Sequence, residues 1–176
     1  MRPKGFAHER ASEGPTNTWL TPKALTDLVQ PIDLDPCSAP SPRPWDFAKR
    51  HITLPECGLA ADWGRAFVFC NPPYGPHTGV WLKRMAAHGN GVALVFARTE
   101  TAAFAEGVWG KADGIFFLRG RVQFCTPDGK PGGRCAAPSV LIAYGAEAAR
   151  RLQAIDAAWG YYAPLMSAAA LLGDLL

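Results

Sequence analysis

Ala66-Phe67-Val68-Phe69-Cys70-Asn71-Pro72-Pro73-Tyr74-Gly75-Pro76 begins as an apolar run and breaks on two consecutive prolines. The apolar half predicts a buried strand, and the proline half predicts a stiff turn at its end. Each proline fixes its own φ, lacks an N–H, and pushes the residue before it toward extended backbone. Asn71 and Pro72 therefore have little conformational choice, and Pro73 offers no N–H to occupy the Pro72 carbonyl. Two acceptors, the Asn71 side-chain oxygen and the Pro72 carbonyl, stand at the tip beside the Tyr74 ring. That set suits the capture of a planar –NH2 group.

Strand and helix signals alternate on both sides of this elbow. Thr21 is a natural N-cap and Pro22 fits the first position of a helix in which Leu25, Leu28 and Val29 share a face. Pro31 stops it, and Ile32-Asp33-Leu34-Asp35 reads as a short strand ending on an acid. Residues 36–56 carry five prolines and read as a long loop with one helical turn around 45–49. Beyond the elbow, residues 78–88 place Trp81, Leu82 and Met85 at helical spacing. Residues 91–96 form an apolar run of the kind buried inside a parallel sheet. Residues 101–109 read as helix, 114–118 and 121–124 as strands joined by a turn at Gly120, and 139–144 as another strand. Residues 146–158 read as helix and the C-terminal tail as a second. The expected fold is α/β: an open, mostly parallel sheet with helices on both faces. A flexible tail over 1–16 precedes one domain over 17–176. Ligands of such sheets bind beyond the carboxyl ends of the strands, which brings Asp35 and Asn71 together.

Composition narrows the classes further. With 176 residues, 48% hydrophobic and 19% charged, the chain reads as one soluble globular domain. No uninterrupted apolar stretch approaches the roughly 18–20 residues of a membrane span. Met1-Arg2-Pro3-Lys4-Gly5 lacks the apolar centre of an export signal, so a cytoplasmic location, in a cell or an infected host cell, is expected. Cys37, Cys57, Cys70, Cys125 and Cys135 form no Cys-x-x-Cys pair and the histidines do not cluster near them, so no metal is expected. A net charge of +3 and a pI near 8.7 permit a nucleic-acid partner without arguing for one. Within 119–134, Arg119, Arg121, Lys130 and Arg134 face Asp128 alone. That segment is the candidate for phosphate contact, though a solvated hairpin explains Arg119 and Arg121 nearly as well. Arg98, just past an apolar strand, can meet a phosphate or pair with Glu100. Trp45, Trp109 and Trp159 read as core.

The order Trp19-x-Thr21-Pro22, Asp33-Leu34-Asp35-Pro36-Cys37-Ser38, Asp62-Trp63 and Asn71-Pro72-Pro73-Tyr74-Gly75 resembles the phage-type (Dam-like) DNA N6-adenine methyltransferases. The likeness continues through Ala97-Arg98-Thr99-Glu100-Thr101, Phe117-Leu118-Arg119-Gly120-Arg121-Val122-Gln123-Phe124 and Pro138-Ser139-Val140-Leu141. It implies a Rossmann-like fold, S-adenosylmethionine as cofactor and double-stranded DNA as partner. Carried over by motif, Asn71 and Pro72 hold the adenine N6 amine, Pro73 completes the rigid elbow, and Tyr74 stacks on the flipped base. Trp19, Thr21, Pro22, Asp35, Pro36, Asp62 and Asn71 would border the cofactor. The chain departs from the pattern at Cys57-Gly58-Leu59, where related enzymes usually carry Asp-Gly-Leu, and Glu56 is the neighbouring acid. It also lacks the usual glycines after Asp35.

The same chemistry on cytosine N4 competes with this reading, because that exocyclic amine poses the same problem. Protein glutamine methylation uses the same tetrapeptide, normally with an extra helical domain that this chain lacks. A catalytically inactive nucleic-acid-binding module with the same fold is the rival from another class.

Overall fold

The computed structural model describes residues 18–166. Its strands are β1 (Ile32–Asp35), β2 (Ala48–His51), β3 (Val68–Cys70), β4 (Gly91–Phe96), β5 (Gly114–Leu118), β6 (Gln123–Cys125), β7 (Pro131–Arg134), β8 (Ser139–Tyr144) and β9 (Gly160–Pro164). The helices are α1 (Lys23–Thr26), continued by a 3-10 turn at Asp27–Val29, α2 (Thr78–His88), α3 (Ala102–Gly107) and α4 (Ala146–Gln153).

Seven strands share one sheet in the order β2-β1-β3-β4-β8-β5-β9. Strands β1 to β5 run one way, while β8 and β9 run against them, so the sheet is mostly parallel in direction with an antiparallel far side. Period-two alternation gives it two buried faces. Val68, Cys70, Ala93, Val95, Val140 and Ile142 pack with Leu82 and Met85 of α2 and Phe104 of α3. Phe69, Val92, Leu94, Phe116, Leu141 and Ala143 pack with Leu25, Val29 and α4 residues Ala148 and Leu152. The expected α/β architecture with helices on both faces is therefore present.

Four local expectations need correction. No helical turn forms around 45–49: residues 45–47 are irregular, and Ala48–His51 forms edge strand β2, parallel to β1, with Ile32↔Ala48 and Leu34↔Arg50 in register. Its burial is intermediate or exposed throughout, so it carries no hydrophobic period to read. Strands β5 and β6 do not pair across Gly120; β6 instead forms a separate ribbon with β7. Helix α4 stops at Gln153, and Gly160–Pro164 returns as edge strand β9 beside β5. Trp109 and Trp159 are 39% and 41% exposed, so neither is core. The segment 1–16 and most of the C-terminal tail lie outside the described residues.

The order of β2, β1 and β3 positions the site. From β1 the chain crosses to β2 on one side, then returns to β3 on the other. This reversal opens a crevice between the carboxyl ends of β1 and β3.

Candidate active site at the carboxyl edge of the sheet

Strand β3 delivers the elbow to that crevice. Val68, Phe69 and Cys70 are fully buried, and the chain leaves the sheet at Asn71. The Thr78 hydroxyl staples the turn by donating to the Pro73 carbonyl (3.2 Å) and accepting from the Gly75 N–H (3.1 Å). Gly75 sits at φ 130°, a conformation that disfavours any side chain. The Asn71 amide nitrogen donates to Thr21 Oγ1 at 3.1 Å, and its backbone carbonyl accepts from the Cys37 thiol at 3.1 Å. Its side-chain oxygen is buried and has no hydrogen-bond partner. Pro72 is buried, and no hydrogen bond reaches its carbonyl among the described residues.

A cleft runs from Asn71 to the end of β1. It is lined by Trp19 and Thr21, by Asp35, Cys37 and Ser38 after β1, and by Arg43, Trp45 and Phe47 of the proline-rich loop. Asp35 is only 5% exposed; its carboxylate accepts the Cys37 N–H at 3.1 Å and lies 3.7 Å from His51 Nδ1. That ring nitrogen also meets Ser38 Oγ at 3.0 Å. The Cys37 and Cys70 sulfurs are 3.7 Å apart; Cys70 and burial together hold the Cys37 thiol well above its ordinary value, so it stays protonated as a donor. The cavity is narrow, ≈ 40 Å³, about the room one water molecule takes. A larger groove of ≈ 530 Å³ lies between α2 and α3, but it is an open surface spanned by the Lys83–Glu106 ion pair. Unlike the cleft, its lining contains no orphaned buried polar atom.

Trp19, Thr21, Asp35 and Asn71, from segments far apart in the chain, line this one cleft. Thr21 is not the helix cap it resembles: α1 begins after Pro22, whose carbonyl accepts from Leu25, and the Thr21 hydroxyl faces Asn71 instead. Pro22 and Pro36 adjoin the cleft without lining it, and the Pro36 carbonyl packs so closely on Gly58 that a Cβ there would collide with it. Asp62 does not reach the cleft. It is exposed and accepts the Gly64 N–H at 2.8 Å, which organises the turn before β3. Glu56 is likewise occupied outside, 3.2 Å from Arg50. Tyr74 lies beyond the cleft lining, its ring 4.3 Å from Phe96 and 6.1 Å from Phe124.

The basic residues divide. Arg119, Arg121 and Arg134 are exposed; Arg119 and Arg121 steady themselves on the Ala157 and Ala136 carbonyls. Lys130 is engaged by Asp128 at 2.8 Å, and that contact, with Thr126, holds the Asp128 carboxyl at about 2. Arg98 lies exposed just past β4, at the same edge as Asn71. The ribbon β6–β7 reaches the site through Leu20, which exchanges two backbone hydrogen bonds with Cys125 (2.8 and 2.9 Å).

Arg43, Trp45 and Phe47 were not singled out as site residues by sequence, because nothing in a proline-rich loop marks which aromatic faces a cavity. Phe96 and Phe124, the neighbours of Tyr74, looked like ordinary strand residues. Compared with known proteins, the chain matches no family model, no curated protein and no solved structure. No helix among the described residues is long and apolar enough to cross a membrane.

Proposed function

We propose that the protein is an S-adenosylmethionine-dependent DNA methyltransferase acting on the exocyclic N6 of adenine. The observation that carries this reading is the Asn71 side-chain oxygen: buried, without a hydrogen-bond partner among the described residues, and followed by a Pro72 carbonyl that none of those residues bonds. An acceptor left unmade in a protein interior costs roughly 1–3 kcal/mol, and an incoming –NH2 group repairs that loss. Adenine N6 brings two N–H donors to two acceptors. Its lone pair is delocalised into the ring, so it is a poor nucleophile. Holding both N–H groups favours the pyramidal nitrogen and stabilises the positive charge that develops on it. The elbow contains no strong base and needs none, because the proton becomes acidic as the new N–C bond forms.

The cleft lining suits the cofactor chemically. Asp35 offers a buried carboxylate to hydroxyl or ammonium groups, and Trp19, Trp45 and Phe47 offer apolar walls to a heterocycle. When bound, S-adenosylmethionine supplies a methyl carbon already activated by a sulfonium. Admission of a nucleoside-sized group requires the loop 36–47 to move outward from its present narrow setting. That loop is tied to the body by Gln30 to the Phe47 carbonyl, by the Ser38 N–H to the Ile52 carbonyl and by Ser38 Oγ to His51, while Arg43 to Asp46 and Ala39 braces it internally. Adenine within a duplex is out of reach, so the base must be flipped, at a cost of a few kcal/mol. Stacking on Tyr74 offsets roughly 1–3 kcal/mol of that. Arg98, Arg119, Arg121 and Arg134 are the proposed phosphate contacts, with Lys130 a weaker one while Asp128 holds it.

Incubating purified protein with S-adenosylmethionine and duplex DNA, then analysing the deoxynucleosides by mass spectrometry, tests the proposal. N6-methyldeoxyadenosine is the expected product. N4-methyldeoxycytidine alone reassigns the substrate, and DNA binding with neither product leaves a nucleic-acid-binding module.

A further inference from the structure

We infer that Arg43 is a cofactor-binding residue whose guanidinium takes the α-carboxylate at the amino-acid end of S-adenosylmethionine. The inference rests on the methyltransferase reading above and refines it. An α-amino acid is a zwitterion, so a cleft that reads it needs one group of each sign. The cleft lining supplies one acid, Asp35 at the end of β1, and one base, Arg43 of the loop 36–47. Asp35 Oδ1 accepts the Cys37 N–H, while Oδ2 lies 3.7 Å from His51 Nδ1, too far for a hydrogen bond. That second oxygen has no donor among the described residues and suits an ammonium.

A guanidinium carries five N–H groups in one plane. In Arg43, Nε and Nη2 donate to Asp46 Oδ1 at 2.9 and 2.7 Å, and Nη1 donates to the Ala39 carbonyl at 2.8 Å. Three N–H groups are thus used and two remain, one on each terminal nitrogen. Such donors match the two oxygens of a carboxylate. The charge balance points the same way. The Arg43 side chain is 12% exposed, whereas that of Asp46 is 65% exposed. Water weakens an ion pair with an exposed partner, so the buried cation is only partly compensated until an anion enters the cleft. Ala39 and Asp46 lie in the same loop as Arg43, so these bonds do not oppose the outward movement that admits the cofactor.

Two ligands that differ only in this group test the inference: S-adenosylhomocysteine and its decarboxylated analogue, in which hydrogen replaces the α-carboxylate. By calorimetry, the parent should bind S-adenosylhomocysteine about tenfold or more tighter than the analogue. In Arg43→Gln that preference should shrink to within about threefold, through loss of affinity for S-adenosylhomocysteine alone. Asp46→Ala, which removes the brace and keeps the guanidinium, should retain the parent's preference. An Arg43→Gln variant that weakens both ligands equally assigns the residue to bracing the loop and overturns the inference. So does a parent that does not distinguish the two ligands, or an Asp46→Ala variant that loses the preference as fully as Arg43→Gln. If Arg43→Gln does not fold, the parent and Asp46→Ala decide: absence of the preference in either overturns the inference. Each of these results leaves the methyltransferase reading intact. A parent protein that binds neither ligand overturns that reading together with its refinement.

Discussion

The centre of the sheet and its carboxyl edge treat polar groups in opposite ways. At the centre, β4 and β8 stay in register over six residues from Gly91↔Tyr144 to Phe96↔Ser139, and nearly every side chain is apolar. At the end of that ladder away from the carboxyl edge, the buried Tyr144 hydroxyl donates to the Gly107 carbonyl at 2.9 Å, and burial pushes its pKa upward. At the edge, β1 and β3 share a single registered pair, Leu34↔Val68, before they part. Three of the four buried side-chain atoms without a hydrogen bond among the described residues lie at this edge: on Asn71 after β3, on His51 at the end of β2 (its Nε2 is 3.4 Å from Asp46 Oδ1), and on Ser139 opposite the last residue of β4. Buried polar groups are normally satisfied, and their exceptions mark strain, catalysis or an absent partner. Hydrogen bonding is thus complete at the centre of the sheet and left open at the edge where we propose that a ligand binds.

The strongest way to break this contrast is to remove the open acceptor. Asn71→Ala should lower single-turnover methylation by about 10²–10³-fold, the scale for one preorganised polar contact to a developing charge. Its melting temperature should stay close to that of the parent, because only the Thr21 hydrogen bond and little packing are lost. A rate within a few-fold of the parent would end the proposed role. The converse experiment truncates the centre: Leu141, fully buried, should cost about 2–5 kcal/mol in urea titrations when changed to alanine. Activity per folded molecule should survive that change. A proportional loss of activity in the still-folded variant would show that the two regions are not separable.

Two smaller effects sharpen the picture. Replacing Arg119 and Arg121 together by alanine should weaken DNA binding and reduce the slope of log K against log salt by about 2. An unchanged slope would remove this exposed pair from the interface. The smallest effect concerns Asp33, on β1 but outside the cleft lining. The Lys49 ammonium at 2.7 Å, then the Phe67 N–H, hold its carboxyl below the ordinary 3.8. A depressed folded value means the contribution is complete above the ordinary carboxylate range and is lost as pH falls through the folded value. Asp33→Asn should therefore lower the neutral plateau by a small amount and flatten the stability curve below about pH 4, where the two proteins converge. A parent-like acid limb in that variant would assign the loss to other carboxylates.

How much of this was legible follows burial. Gly91–Phe96, Gly114–Leu118 and Ser139–Tyr144 were readable as strands because each is an apolar run inside the sheet, and Thr78–His88 because Trp81, Leu82 and Met85 recur at helical spacing. Strand β2 was not readable, since Ala48-Lys49-Arg50-His51 owes its conformation to hydrogen bonding with β1. Strand β9 was hidden for the same reason: it is an edge, and Tyr161 is 76% exposed. Within the site, the adjacency of Asp35 and Asn71 followed from the carboxyl-edge rule. The place of Asp62 did not, because an acid that organises a turn and an acid that holds a ligand look alike in one dimension.

By itself the sequence determined the elbow: proline geometry is covalent, so Asn71-Pro72-Pro73-Tyr74 is rigid wherever the chain puts it. It also determined the α/β class through its apolar periods. Only the tertiary structure decided that Thr21, fifty residues earlier in the chain, grips the Asn71 amide nitrogen and leaves the oxygen open. That outcome depends on which strands become neighbours, and strand order is set by long-range packing that no local pattern encodes.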